Sequence, residues 1–180
     1  MNKKPVLLCL CIFICSFLNA QVEVAHLSTK GFSAIGFGGF LNFAVPISDA
    51  ESLTLEAGVY SFRQQDNHII LVPFLLGYRY TLDGSGSGIY VEPDAGYTIG
   101  ATDIEKFNAN GTPIPDGNNG YLQQQAKGLT AGIGAGYIFP GSISFNIGLR
   151  YQHVFVSGDP SLNMFSLRLS HSFSFGRRND

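Results

Sequence analysis

The charged residues in the interior of the predicted β-strands all lie on one face of those strands. Successive side chains of a strand point to opposite sides of a sheet, so every second residue shares a face. The opposite face carries Leu, Ile, Val, Phe and Tyr. The charged set holds three acids and three bases: Glu56, Arg79, Glu92, Asp94, Arg150 and Arg168. When a sheet of such strands closes into a barrel, one face lies inside and the other lies outside. Closure also leaves no strand edge unpaired.

Seven segments of the chain have the length and the alternation of strands. They are Phe32–Pro46, Leu53–Phe62, His68–Leu82, Ile89–Gly100, Lys127–Phe139, Ile143–Phe155 and Asn163–Phe175. A shorter segment, Val22–Leu27, precedes them and brings the number to eight, an even number typical of small transmembrane barrels. Short turns alternate with longer loops, of which Ala101–Gln125 is the longest. We therefore predict an all-β fold, a single closed antiparallel up-and-down transmembrane β-barrel of eight strands, with both termini on the short-turn side.

The first 20 residues have the features of a signal peptide. Lys3 and Lys4 precede an apolar run, Pro5–Leu18, which is too short for a membrane-spanning helix. We predict that residues 1–20 form a cleaved signal peptide and that residues 21–180 form the barrel domain. An uncleaved anchor helix and a lipoprotein leader are the alternatives.

The composition of the remaining chain excludes several classes of chemistry. All three cysteines lie in the predicted signal peptide, so the mature chain has no disulfide and no thiol. Its nine Lys and Arg residues stand against 13 Asp and Glu residues, and this negative balance argues against nucleic acid as a partner. The four histidines show no metal-ligand spacing, and we predict no metal and no cofactor.

The alternation alone leaves open which face of the barrel lies outside. A secreted soluble barrel would turn its polar face to water, but soluble surfaces are roughly a quarter to a third charged. The polar face here is much poorer in charge, and Lys127 is the only lysine in the seven longer segments. An Arg facing lipid near the bilayer centre would cost about 2–4 kcal/mol. We therefore predict that the apolar face contacts lipid and that the charged face lines the lumen.

The lumen residues are expected to form a charge network that plugs the barrel. Counting back from the Asp83–Gly88 turn places Arg79 directly opposite Glu92. The same counting places Arg150 roughly opposite Arg168, so acids from elsewhere must compensate these two cations. The candidates for that role are Glu56 and Asp94. One strand carries four glycines on its polar side, which leaves room for the large lumen side chains: Gly128, Gly132, Gly134 and Gly136.

With these features the chain resembles the small outer-membrane β-barrel family of Gram-negative bacteria. That family includes the transmembrane domain of OmpA, the OmpX and OmpW types and the Bacteroidetes-type barrel domains. The resemblance rests on the Ala20-Gln21 junction, the alternation, the loop asymmetry and the aromatic final strand that ends at Phe175. It implies a bacterial outer-membrane location, outer-membrane lipid as a partner and contact with the barrel-insertion machinery during biogenesis. The residues after Phe175, 176–180, depart from the family's terminal aromatic.

The expected role is structural or interactive, and the only recognition surface that the sequence suggests is the polar loop 101–125, for an extracellular ligand. We predict no enzymatic activity. Lipid A deacylases of this fold use a His-x-Ser pair, whereas His171 is followed directly by Ser172. Two alternatives stay open: a narrow channel for small hydrophobic or amphipathic solutes, and a lipid-modifying enzyme. The sequence does not indicate the subfamily, the solute or the oligomeric state.

Overall fold

The structure is a computed structural model that describes residues 18–65, 67–106, 108, 110, 112–118, 120–141, 144–156 and 161–172. It contains ten strands: β1 (Leu18–Thr29), β2 (Phe32–Pro46), β3 (Glu51–Gln64), β4 (Asn67–Thr81), β5 (Gly88–Gly100), β6 (Asp103–Glu105), β7 (Gln123–Gln125), β8 (Gly128–Ile138), β9 (Ser144–Val156) and β10 (Leu162–Ser172). Eight of them close a barrel in the order β1-β10-β9-β8-β5-β4-β3-β2. The described part of the chain contains no helix with the length and hydropathy needed to cross a membrane.

The first and last strands close the barrel. β1 pairs with β10 in antiparallel register from Asn19 opposite Ser172 to Ser28 opposite Asn163. The predicted closed antiparallel barrel of eight strands is confirmed. β1 is longer than the predicted segment 22–27, because both neighbours satisfy its backbone groups along its length. Its first three residues fall within the predicted signal peptide, and cleavage there stays a prediction.

The two ends of the barrel differ. One end, which we name the turn end, carries the connections 47–50, 82–87 and 139–143 together with the first and last described residues. The other end, the loop end, carries the connections 30–31, 65–66, 101–127 and 157–161. Two of the loop-end connections are tight hairpins that use positive φ angles, at Gly31 (75°) and at Gln65 (52°).

The longest connection is folded, although the sequence predicted only a polar loop. β6 and β7 pair from Asp103 opposite Gln125 to Glu105 opposite Gln123. Residues 101–127, which we call the arm, are held to the barrel by two buried residues, Ile104 and Ala126. The alternating segments are too short here for the sequence to indicate strands.

The predicted faces of the barrel strands are confirmed in β3. Thr54 and Glu56 are buried, whereas Leu53, Leu55 and Val59 are exposed on the outside. The same pattern holds around the barrel, where 40–70% of the surface of many outward Leu, Ile and Phe side chains is exposed. Such a continuous apolar exterior is unusual for a water-soluble protein and typical of a barrel in lipid.

The interior has two layers, whereas the alternation of the sequence predicts polar residues throughout. The half near the turn end holds the charged residues. The half near the loop end is filled by a hydrophobic cluster, the apolar layer, which includes Leu27, Phe32, Phe62, Ile69, Leu71, Ile104, Val154, Leu162 and Met164. The expectation failed because β4 is apolar on both faces near the loop end, so its lumen face also carries apolar residues there.

Candidate functional site

Arg150 lies at the centre of the charged layer. Its side chain is 1% exposed, and its Nη1 lies 2.5 Å from Glu56 Oε1. Its Nη2 lies 2.6 Å from Glu23 Oε1 and donates a 3.1 Å hydrogen bond to the Tyr60 hydroxyl. The guanidinium carbon also stands 5.5 Å from the centre of the Phe40 ring. Ion pairs, a hydrogen bond and a cation–π contact therefore surround one buried cation.

A second cluster forms around Glu92, which accepts from two arginines. Arg79 donates to Glu92 Oε2 from Nε at 3.0 Å and from Nη2 at 2.9 Å, so the predicted cross-strand pair is present. Arg168 Nη1 lies 2.9 Å from the same oxygen, and Thr54 donates to Oε1 at 2.8 Å. Every side of this carboxylate is thus occupied by a donor, as a buried charge requires.

The register corrects the predicted position of the two lumen cations on β9 and β10. Arg150 lies opposite Ser166, and Arg168 lies opposite Gly148, so the cations are offset diagonally rather than directly paired. Glu23 stands between them, 2.6 Å from Arg150 and 3.5 Å from Arg168. This acid contacts both cations and compensates part of their mutual repulsion.

Sequence reasoning missed Glu23, the carboxylate with the most partners. It accepts a hydrogen bond from the Tyr60 hydroxyl and one of 2.6 Å from the Gln21 amide. Glu23 lies on the shortest predicted strand, whose phase was not assigned. The signal was present, because Gln21 and Glu23 alternate with the outward Val22 and Val24.

The charged layer holds one carboxylate more than it holds arginines, counted over the described residues. Its members are Glu23, Glu56, Glu92 and Asp94 against Arg79, Arg150 and Arg168. Asp94 is the least tightly paired acid: its Oδ2 lies 3.9 Å from Arg150 Nη1, and Gln152 donates to its Oδ1 at 3.5 Å. Of the two compensating acids expected from the sequence, Glu56 makes a close ion pair and Asp94 makes a loose one.

Glycines give the large lumen side chains their space. A Cβ at Gly58 would come within 2.0 Å of the Phe40 ring, and a Cβ at Gly136 within 2.7 Å of the Tyr90 hydroxyl. The glycines of β8 face the lumen as predicted, and at Gly132 a Cβ would come within 2.5 Å of Asp94. The aromatic rings above the charged layer are packed edge to face, with the centres of Phe40 and Tyr60 4.8 Å apart.

A cavity of about 340 Å³ lies at the loop end, between the barrel rim and the arm. Phe32, Ile69 and Ile104 belong to the apolar layer and form part of its lining. The polar lining residues come from the end of β1 with the adjoining turn, the start of β4 and the arm: Thr29, Lys30, Asn67, His68, Asp103, Glu105 and Gln123. The size and the mixture of apolar and polar groups are those of a small-molecule site.

A smaller cavity of about 190 Å³ lies at the turn end and reaches Arg79 and Asn146. The Arg79 side chain is 11% exposed, whereas Arg150 deeper in the lumen is 1% exposed. The cavity at this end therefore reaches Arg79, whereas Arg150 is buried deeper in the lumen.

Two serine–histidine pairs lie on the outside of the barrel near the loop end. Ser61 Oγ lies 2.8 Å from His68 Nε2, and Ser33 Oγ lies 3.0 Å from His26 Nε2. Each pair has the first contact of a hydrolytic site, but no described carboxylate bonds to either ring as the orienting third group. The described residues also contain no group of three or more possible metal ligands.

The outward phase predicted for His153 and His171 is observed, and both are half-buried. His153 Nδ1 lies 2.8 Å from Asn163 Oδ1, which also accepts a 2.7 Å hydrogen bond from Tyr151. This polar contact on an apolar surface lies near the loop end, where headgroups would meet it. The predicted terminal aromatic, Phe175, lies outside the described residues.

The arm is compact beyond its stem. Asn108 Oδ1 accepts hydrogen bonds from the backbone of Asn110 and Thr112, and Asp116 Oδ1 accepts from Asn118 and Gly120. Among its described residues, the exposed large apolar side chains are those of Tyr121 (49% exposed) and Leu122 (42%). A loop that exposes an aromatic ring among polar groups is suited to recognition.

Solved structures of several small outer-membrane barrels have this fold. Neisserial surface protein A aligns with 87% of this chain and 96% of its own at 16% identity and a TM-score of 0.56. Ail, the attachment invasion locus protein of Yersinia pestis, aligns over the same shares at 10% identity and a TM-score of 0.59. The outer membrane enzyme PagL covers 83% of this chain and 97% of its own at 16% identity and a TM-score of 0.50.

At these identities the likenesses show the fold alone. No curated protein sequence matches the chain. The family model for the outer membrane protein beta-barrel domain matches residues 17–173, which includes all eight barrel strands. The chain therefore belongs to the outer membrane protein beta-barrel domain family.

Proposed function

We propose that the protein is a surface-interaction barrel of the bacterial outer membrane whose lumen does not conduct. The observation that carries the proposal is the bridge formed by Arg150, which reaches across the lumen from β9 and contacts acids on β1 and β3. The apolar layer above it supports the same conclusion, because Leu27, Leu71 and Leu162 are each 0% exposed. An eight-stranded barrel has an interior only wide enough for its own side chains.

The recognition surface in this proposal is the loop end, made up of the arm and the 340 Å³ cavity beneath it. The arm is fixed to the barrel by Ile104 and Ala126, so its outer residues are presented on a rigid support. A binding surface that is held in place loses less conformational entropy when it binds, and this favours a role of the arm in recognition.

Conductance measurement tests the closed lumen. The refolded protein is reconstituted in a planar bilayer, with a general porin as the positive control for insertion and detection. We expect no steady single-channel openings from this protein. Sustained openings of uniform size would contradict the proposal, provided that heat-dependent gel mobility shows a folded barrel in the same sample.

The role of the arm is tested by shortening it. Residues 107–121 are replaced by a short Gly-Ser turn that leaves β6, β7 and the barrel intact. Cells that display this variant are compared with wild-type cells for adhesion to immobilised extracellular-matrix proteins and for aggregation with one another. Loss of adhesion in the variant supports the proposal, and equal behaviour in both assays counts against it.

A narrow path for small hydrophobic solutes is the second candidate, because the loop-end cavity has Phe32, Ile69 and Ile104 in its lining and adjoins the apolar layer. Uptake of an apolar fluorescent solute into vesicles that contain the protein distinguishes the two. Uptake above that of protein-free vesicles would favour the solute path.

A lipid-modifying enzyme is the third candidate, and the Ser61–His68 contact of 2.8 Å is the observation that favours it. Mass spectra of lipid A from cells with and without the protein decide this. An acyl-chain loss that Ser61→Ala abolishes would establish the activity.

A further inference from the structure

Four neighbouring strands place three basic side chains in one row on the outside of the barrel. His26 on β1 lies opposite Ile35 on β2, and Arg63 on β3 lies opposite His68 on β4. Gly36 lies opposite Phe62, so in the same register Ile35 lies opposite Arg63. We call His26, Arg63 and His68 the basic row. All three are exposed on the outside.

The basic row marks the edge of the apolar exterior. One step toward the middle of the barrel the same strands carry Val24 and Phe37, which are 44% and 69% exposed. One step toward the loop end they carry Ser28 and Ser33, which are opposite each other and exposed. In a membrane this level is the boundary between acyl chains and headgroups.

The donors of the row are held in place from the protein side. Ser33 and Ser61 bond to Nε2 of His26 and His68, which fixes the two rings. Arg63 donates from Nε to the Gln65 carbonyl at 3.3 Å. No described residue accepts a hydrogen bond from its two Nη groups, and these are the groups with which arginine binds phosphate.

The charge near the row is not uniform. Lys30, Asp103 and Glu105 line the loop-end cavity together with His68, so acids lie on that side. Asp66, in the adjoining turn, lies outside the described residues. His26 and Arg63 are not in that cavity lining, and the row's side chains on β1, β2 and β3 include no acid at this level. An anion is therefore favoured on the side of the row that holds His26 and Arg63, with Ile35 on β2 between the two.

We propose that the basic row binds the phosphate of an anionic lipid headgroup in the membrane leaflet at the loop end. Arg63 provides the two Nη donors, and the histidines and serines flank it. The lipid's acyl chains then lie along the apolar exterior formed by Val24, Phe37 and Val59. This inference rests on the outer-membrane location and not on the closed lumen, so a barrel that conducts ions would not contradict it.

Native mass spectrometry of lipid retention tests the proposal. The folded protein in zwitterionic micelles is titrated with phosphatidic acid, which has a phosphomonoester headgroup, and separately with phosphatidylcholine. We expect the wild-type chain to retain phosphatidic acid preferentially, and Arg63→Gln to lower that retention about tenfold, since a charge-assisted hydrogen bond is lost. Arg63→Lys is expected to retain part of the preference.

Matched controls separate the site from general charge. Lys127→Gln removes an exposed base near the same end of the barrel, and His153→Gln removes an outward histidine on β9. Neither is expected to change retention. The pair of changes His26→Gln and His68→Gln is expected to lower it, and this variant keeps the test decisive if Arg63→Gln folds poorly by heat-dependent gel mobility.

Equal retention of the two lipids by the wild-type chain would overturn the proposal. So would unchanged retention in both Arg63→Gln and the double histidine variant. Competition with inorganic phosphate distinguishes the source of the anion. If phosphate at the lipid's own concentration displaces phosphatidic acid, the row is a site for free anions, and the lipid assignment is wrong.

Discussion

Arg150 and Glu56 form an ion pair between diametrically opposite walls of the barrel. Arg150 Nη1 lies 2.5 Å from Glu56 Oε1. Their strands, β9 and β3, stand four positions apart in either direction around the ring of eight. The pair therefore spans the full width of the lumen and joins strands that share no backbone hydrogen bond.

Arg150→Met is expected to lower the free energy of unfolding by about 3–5 kcal/mol, because Glu23 and Glu56 would remain buried without their cation. The measurement is urea unfolding in lipid vesicles. It is monitored by circular dichroism, because the chain has no Trp to give a fluorescence signal. A loss below about 1 kcal/mol, the size of a single ordinary hydrogen bond, would show that the bridge does not stabilise the barrel.

Asp94→Asn is expected to cost much less, about 1 kcal/mol or less, because this acid makes the longest ion-pair contact of the layer, 3.9 Å to Arg150. The substitution also removes the one carboxylate in excess of the arginines. The same urea series measures it. A loss as large as that of Arg150→Met would show that Asp94 is an essential partner of the network.

Gly38 and Gly39 provide a matched pair of neighbours on opposite faces of β2. At Gly38 a Cβ would come within 2.6 Å of the Phe40 and Tyr60 rings, whereas at Gly39 nothing lies within 4 Å. We expect Gly38→Ala to lower the free energy of unfolding by about 1–3 kcal/mol through overpacking. Gly39→Ala is expected to be neutral or to stabilise by up to about 1 kcal/mol. Equal effects of the two in urea unfolding would mean that the rings move freely.

Ile104→Asn is expected to release the arm while leaving the barrel closed. Ile104 is 7% exposed and belongs to the apolar layer, so a polar side chain there would be buried without a partner. Hydrogen exchange should become faster across 103–106 and 122–125 and stay slow in β2 and β3. Tyr121→Asn, at a position 49% exposed, is the control and should change neither region. Faster exchange throughout the barrel would instead show that arm and barrel unfold together.

The turn between β4 and β5 contains an exposed carboxyl with a perturbed pKa. Ser85 donates to Asp83 from its backbone N at 3.0 Å and from its Oγ at 2.8 Å, and these bonds lower the pKa of Asp83. A lowered pKa means that the turn is stabilised above the ordinary Asp pKa and loses this contribution as the pH falls through the lowered value. Ser85→Ala should raise the pKa of Asp83 part of the way to its ordinary value, as measured by carboxyl ¹³C NMR. An unchanged pKa would show that the hydroxyl contributes nothing.

Local geometry explains which features could be predicted from the sequence. The alternation in β3 and the position of the Asp83–Gly88 turn were sufficient to place Glu56 in the lumen and Arg79 against Glu92. Both predictions depend on the two-residue side-chain period of a strand and on counting across one short turn. The same counting placed Arg150 only roughly opposite Arg168, and the register shows that the two are offset diagonally by two residues.

Features that depend on barrel closure were beyond sequence reasoning. Glu23 contacts Arg150 from a strand two positions away in the ring, which only the tilt and stagger of the closed sheet determine. The burial of Ile104 likewise requires the arm to fold back over the lumen. The apolar layer was partly foreseeable, because the phase set by Arg79 turns Ile69 and Leu71 inward.

The stacking of an apolar layer on a charged one imposes opposite solvation demands along a single axis. An ion stabilised beside Arg79 or Glu92 would have to shed its hydration shell to continue past Leu71 and Met164. A hydrocarbon soluble among those apolar side chains would have to break ion pairs to continue in the reverse direction. The charged half therefore presents its highest free-energy barrier to apolar solutes, and the apolar half presents its highest barrier to ions.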